Sequence, residues 1–161
     1  MARDEFDGLA ACELFRQIVN DRFRFLTTTY GFQEAETGCA GGDIWVVLRN
    51  DVTVVTVQFE YGGEVWLTIG HAPNGPQVNL NCLLYLLAPH RERVPVVGDL
   101  FDPQQIEEIM QERSDALREY ADDLLRGDFA MFPKLREVQA ERFADRLRKL
   151  DAMERAKWGQ V

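Results

Sequence analysis

The chain has 161 residues, 46% hydrophobic and 28% charged, which suits one ordinary hydrophobic core. Its net charge of -9 and isoelectric point near 4.7 repel phosphate backbones, which argues against nucleic acid as a general partner. The opening MARDEFDG has acids where a secretion signal needs basic residues, and no apolar run approaches the roughly 18 residues of a membrane span. A cytoplasmic protein with no membrane partner is expected.

In chain order, residues 4–26 read as a first helix. Leu14, Phe15, Ile18, Val19 and Leu26 recur at helical spacing, while Arg16, Asp21 and Arg22 take the water side. The TTTYG run at 27–31 should end it, since β-branched residues there run into a glycine. Residues 32–37 suit a short strand, and Gly38, Gly41 and Gly42 a flexible connection. A β-meander follows at 44–49, 52–60 and 64–69, rich in Val, Ile, Trp, Thr and Phe.

Side-chain parity predicts the register of that meander. A two-residue loop at Asn50-Asp51 puts Ile44, Val46 and Leu48 on one face with Val55, Val57 and Phe59. At Tyr61-Gly62-Gly63 a two-residue loop would turn Glu64, Trp66 and Thr68 onto that face. A three-residue loop with Gly63 left-handed aligns Val65, Leu67 and Ile69 instead, and is the expected form.

Residues 73–76 (PNGP) should end the sheet, and the apolar run 80–87 a short helix buried against it. A loop over 89–99, with Pro95 and Gly98, leads to Asp102-Pro103, an N-cap carboxylate followed by proline at the first helical position. Ile106, Ile109, Met110, Leu117, Tyr120 and Leu124 stripe that helix until Gly127, and Pro133 opens a last one carrying Leu135, Val138, Phe143, Leu147, Leu150 and Met153. Residues 102–128 carry nine acids and three arginines, whereas 134–157 carry eight basic residues and five acids. Opposite signs favour a hairpin of the two; the alternative is a basic helix reaching into solvent as a docking arm.

Chemistry-bearing motifs are sparse. Cys12, Cys39 and Cys82 are odd in number and irregularly spaced, so neither a disulfide framework nor a CxxC metal pair is expected; Cys12 and Cys82 read as small core residues. His71 and His90 lack HxxxH or ExxH partners, so no metal is expected. The glycine-rich 38–42 segment precedes a strand rather than a helix, which is wrong for phosphate, and Cys39 within it has no base to lower its pKa. Asp122, Asp123 and Asp128 cluster at a helix end without the spacing of a calcium loop. No cofactor is expected.

The outer face of the meander is more informative. Parity gives it Trp45, Val47, Val54, Thr56, Gln58, Glu60, Glu64, Trp66 and Thr68. Tryptophans are enriched at binding hot spots, and carboxylates around them suit a basic partner. The competing reading covers this face with a helix or a second copy.

The segments FRFLTTTYGF (23–32), IWVVLRND (44–51), VTVVTVQFEYGGEVWLTIG (52–70) and LREYADDLLRGDF (117–129) give a layout that resembles the small bacterial immunity proteins of polymorphic or contact-dependent toxin systems. The resemblance implies stoichiometric binding to a toxin, often through an acidic surface, and assigns no binding residue. The expected protein is a single α+β domain over 1–161. It has an antiparallel three- to four-stranded sheet with an N-terminal helix, all within 1–101, and a C-terminal helical hairpin over 102–161. It should bind a protein partner without catalysis, Trp45 and Trp66 acting as anchors and Glu60, Glu64, Asp122 and Asp123 supplying charge. A homodimer formed through this face or the C-terminal helices is the alternative, and a small-molecule site using His71 and Cys39 a third.

Overall fold

In a computed structural model that describes residues 4–93 and 96–158, with side chains from Gly8 onward, the chain is α+β. Helices α1 (Asp4–Arg22) and α2 (Arg24–Tyr30) lead into strands β1 (Gln33–Ala40), β2 (Asp43–Arg49), β3 (Thr53–Phe59), β4 (Val65–His71) and β5 (Gln77–Asn79). Helices α3 (Leu80–Leu87), α4 (Pro103–Tyr120), α5 (Asp122–Leu125) and α6 (Phe132–Trp158) follow. The strands form one antiparallel sheet in the order β1-β2-β3-β4-β5, five strands rather than three or four. The extra strand is β5: the 73–76 segment does not end the sheet but turns the chain back so that Gln77, Val78 and Asn79 pair with Gly70, Ile69 and Thr68. Three residues are too few to display an alternation. Pro95, expected in the loop after α3, lies outside the described residues.

Local chemistry explains the boundaries. The three threonines do not stop the first helical region; the helix breaks at Phe23 and resumes to Tyr30, where Gly31 at φ 69° makes a left-handed cap. The glycines after β1 are not a loose link. Gly38 lies inside β1, and Gly41 and Gly42, at φ 61° and 92°, form the two-residue turn of a hairpin. The β2–β3 turn holds the expected face with its loop one position along and its pairing register shifted by two: Ile44, Val46 and Leu48 pair with Phe59, Val57 and Val55, and the loop is Asp51-Val52. Asn50 sets that slip, since its side-chain oxygen accepts from the N–H groups of Val52 and Thr53. The three-residue β3–β4 loop is as expected, with Gly63 at φ 89° and Val65 opposite Phe59.

One sheet face is the core. Ile44, Val46, Leu48, Val55, Val57, Phe59, Val65, Leu67 and Ile69 are at most 5% exposed, and Phe15 of α1 meets Phe59 edge to face at 6.2 Å. Helices α1 and α3 lie on the sheet, and α4 packs on both, burying Ile106, Met110 and Leu117. Each such side chain contributes about 1.5–3 kcal/mol by leaving water. Asp102 caps α4 by accepting from the Gln105 N–H, and the helix ends at Ala121 rather than Gly127, with α5 as a separate turn. A buried polar seam escaped the apolar stripe: Ser114 donates to the Arg22 carbonyl at 2.6 Å, and Arg113 is only 3% exposed.

Helix α1 is tied to β1 twice. Cys12 and Cys39 form a disulfide with a Cα–Cα separation of 6.3 Å, which corrects the reading of both as thiols. They lie 27 positions apart in the chain, and only the packing of helix on strand brings them together. Beside it Glu34 accepts from Arg16, Asn20 and Thr37 at 2.7–2.8 Å. A bulge between Glu34 and Glu36 lets Glu34 and Thr37 share a face. Burial works to raise the Glu34 pKa, but these hydrogen bonds and the Arg16 charge outweigh it and hold the carboxyl below its usual range. Its stabilising effect is therefore complete above that range and lost as pH falls through the depressed value. Glu34→Gln should lower the urea midpoint at neutral pH and converge on the wild type only as pH falls below the depressed pKa of the Glu34 carboxyl. A deficit independent of pH would show that shape, not charge, matters there.

The chain divides into two compact units, Met1–Phe129 and Ala130–Val161. In the second, α6 buries Phe132, Leu135 and Val138, whereas every residue from Asp145 to Trp158 is exposed.

Candidate functional site

Cross-strand register assembles the outer sheet face. Gly38, Trp45, Gln58 and Trp66 form one row across four strands, and Glu36, Val47, Thr56, Thr68 and Asn79 the next. Trp45 and Trp66 stand two strands apart, about 10 Å, with Gln58 between. Both indoles, Val47, Thr56, Gln58 and Thr68 are half-buried. Val54, expected on this face, is 1% exposed and offers nothing to a partner.

The Trp45 ring is held in place. Its Nε1 donates to Glu36 at 2.8 Å, and a Cβ added to Gly38 would sit 2.2 Å from the ring. Glycine is therefore what allows the indole to lie across β1. Trp66 is set differently: its Nε1 is buried and finds no hydrogen-bond partner among the described residues. Two residues beyond this row, Glu60 and Glu64 flank the β3–β4 turn, where the Glu60 N–H donates to the Glu64 carbonyl at 2.8 Å. Four of the six expected residues, Trp45, Trp66, Glu60 and Glu64, thus gather at one end of the sheet. Glu36 adds a third carboxylate that sequence reading missed. The bulge hides it, since parity counted from β2 cannot be carried through a register shift.

Asp122 and Asp123 do not join them. Helix α5 sits at the other end of β3, where Thr53 donates to the Leu124 carbonyl at 2.6 Å, about 20 Å of strand away from Glu60. Asp122 is also occupied. It accepts from the Tyr30 hydroxyl, and Arg126 Nε reaches both its oxygens at 3.1 Å. The Tyr30 bond first, and then Arg126, hold its carboxyl below the usual range. Asp122 braces α2 to α5, while Asp123 is an exposed acid beside it.

The residues of the third expected reading are also apart. Cys39 is bonded to Cys12 and lies in register with the β3 end at Phe59, whereas His71 pairs with Thr53 at the opposite end and stacks on Phe129 at 3.7 Å. A groove of about 260 Å³ between α1 and α4, lined by Ile18, Asp21, Arg22 and Glu107, contains neither. Among the described residues no three His, Cys, Asp or Glu side chains cluster as metal ligands. No family model, curated protein or solved structure matches the chain.

Proposed function

We propose that the chain is a non-catalytic protein-binding domain that docks a basic partner on the outer corner of its sheet. Trp45 and Trp66 are the anchors, and Glu36, Glu60 and Glu64 the acidic rim. The carrying observation is the Trp45 indole, laid across Gly38 and tethered through Glu36. A ring already held in one pose loses little side-chain freedom on docking, one of the costs that reduce affinity. The tryptophan pair supplies area, and the carboxylates favour approach of positive charge. Under the resemblance drawn from the sequence, that partner is a toxin domain neutralised by stoichiometric binding. A cytoplasmic setting belongs to the same reading, and no described helix is long and apolar enough to cross a membrane.

The test is capture of a partner from the source cell by the purified chain at low and high salt, followed by titration of variants. Trp45→Ala and Trp66→Ala should each weaken the complex by more than about 1 kcal/mol, with the fold still melting cooperatively. Gly38→Ala, which displaces the Trp45 ring, should weaken it in the same direction. Unchanged affinity in all three would remove this face from the proposal.

A further inference from the structure

The distal half of α6 carries an exposed apolar stripe. Phe143, Leu147, Leu150, Met153 and Trp158 are 50–79% exposed. At 3.6 residues per turn they fall within an arc of about 140° on one side of the helix. Singly exposed apolar residues are ordinary on a protein surface, but five aligned on consecutive turns mark an interaction face.

We propose that this stripe is a self-association surface, on which α6 of one copy packs antiparallel against α6 of a second. The central layers place Leu147 of each copy opposite Leu150 of the other, with Phe143 and Met153 flanking. Charge selects both occupant and direction. Eight of the chain's 18 basic residues but only five of its 27 acids lie in 134–157, so this stretch carries +3 and the rest of the chain -12. All of that acidic excess precedes the helix in the chain. Parallel pairing would therefore set two -12 units side by side. Antiparallel pairing separates them along a helix of about 40 Å and brings Arg155 and Lys157 of each copy toward the acidic unit of the other. The same excess disfavours an anionic membrane as the occupant, because the acidic unit would be drawn to the surface with the helix. Two such stripes would bury roughly 1,200 Å² in all, the lower edge of a specific interface, so a reversible dimer is expected.

The experiment is sedimentation equilibrium of the full chain over rising concentration. The mass should move from that of the 18.5 kDa chain toward twice that value. Leu147→Glu combined with Leu150→Glu should weaken dimerisation at least tenfold, while helix content and melting midpoint stay put because both side chains face solvent. Leu147→Met with Leu150→Met should keep the dimer. A chain that stays monomeric at every concentration, or a double-glutamate variant that dimerises as well as the wild type, would overturn the proposal. Arg155→Glu with Lys157→Glu that leaves the dimer as strong as the wild type would overturn the antiparallel arrangement. A monomer that binds phosphatidylserine vesicles would replace the second copy with a lipid surface.

Discussion

Opening the Cys12–Cys39 disulfide should lower the unfolding free energy by about 3.5 kcal/mol, the loop-closure entropy of a 27-residue separation. Single domains are stable by only about 5–15 kcal/mol, so this is a large fraction of the total. Cys39 is exposed, so a mild reductant should reach the bond in the folded protein. Urea unfolding with and without reductant reads the effect, and Cys12→Ser with Cys39→Ser should match the reduced wild type. Equal midpoints would mean that the cross-link constrains little of the unfolded chain. The same bond bears on the compartment. Cytoplasmic reductants would keep the pair as thiols, so a cytoplasmic protein would work with the stability of the reduced form. Trapping free thiols at lysis measures which form the cell holds.

The second large effect sits in the buried seam of α4. Arg113 donates to Asn81 at 3.0 Å and to Glu112 at 3.1 Å, and its Nε is buried without a hydrogen-bond partner. Burial pulls its pKa below the usual arginine value, and Glu112 works in the opposite direction as its counter-charge. Removing that carboxylate strands the guanidinium. Glu112→Ala should cost about 2 kcal/mol, below the full penalty of a broken buried pair because Glu112 remains 30% exposed. Replacing both partners should hurt less than replacing one. Glu112→Ala with Arg113→Met keeps the apolar stem and removes the charge, so it should recover most of the loss. A double-mutant cycle in thermal unfolding decides the point: if the two losses simply add, Arg113 does not depend on Glu112.

The parts legible in the sequence were those that depend on short-range pattern. Side-chain parity placed Val55, Val57, Val65, Leu67 and Ile69 on the core face, because a period of two survives a two-residue slip of the pairing register. Asp102-Pro103 and Gly63 were readable because each has one dominant conformational use. What escaped depends on tertiary contact. The bulge in β1 moved Glu36 beside Trp45, Asn50 shifted a turn through a side-chain hydrogen bond, and Cys12 met Cys39 only because α1 lies on β1. Asp122 and Asp123 looked like part of an acidic binding surface because sequence records charge but not distance. Helix α5 places them at the far end of the sheet, with Asp122 already paired.

The two borders of the sheet have a consequence for solubility. An open border strand is a template onto which another chain can polymerise, and flat, apolar borders are where aggregation starts. Here β1 is bulged, exposed over most of its length and studded with Glu34 and Glu36, while β5 offers only three residues. Neither border presents the long, uncharged ladder that fibril growth requires. The chain can hold a five-stranded sheet without inviting copies to extend it strand by strand. Its contacts with other molecules are left to side-chain surfaces, where identity can be discriminated, rather than to backbone groups, which are the same in every protein.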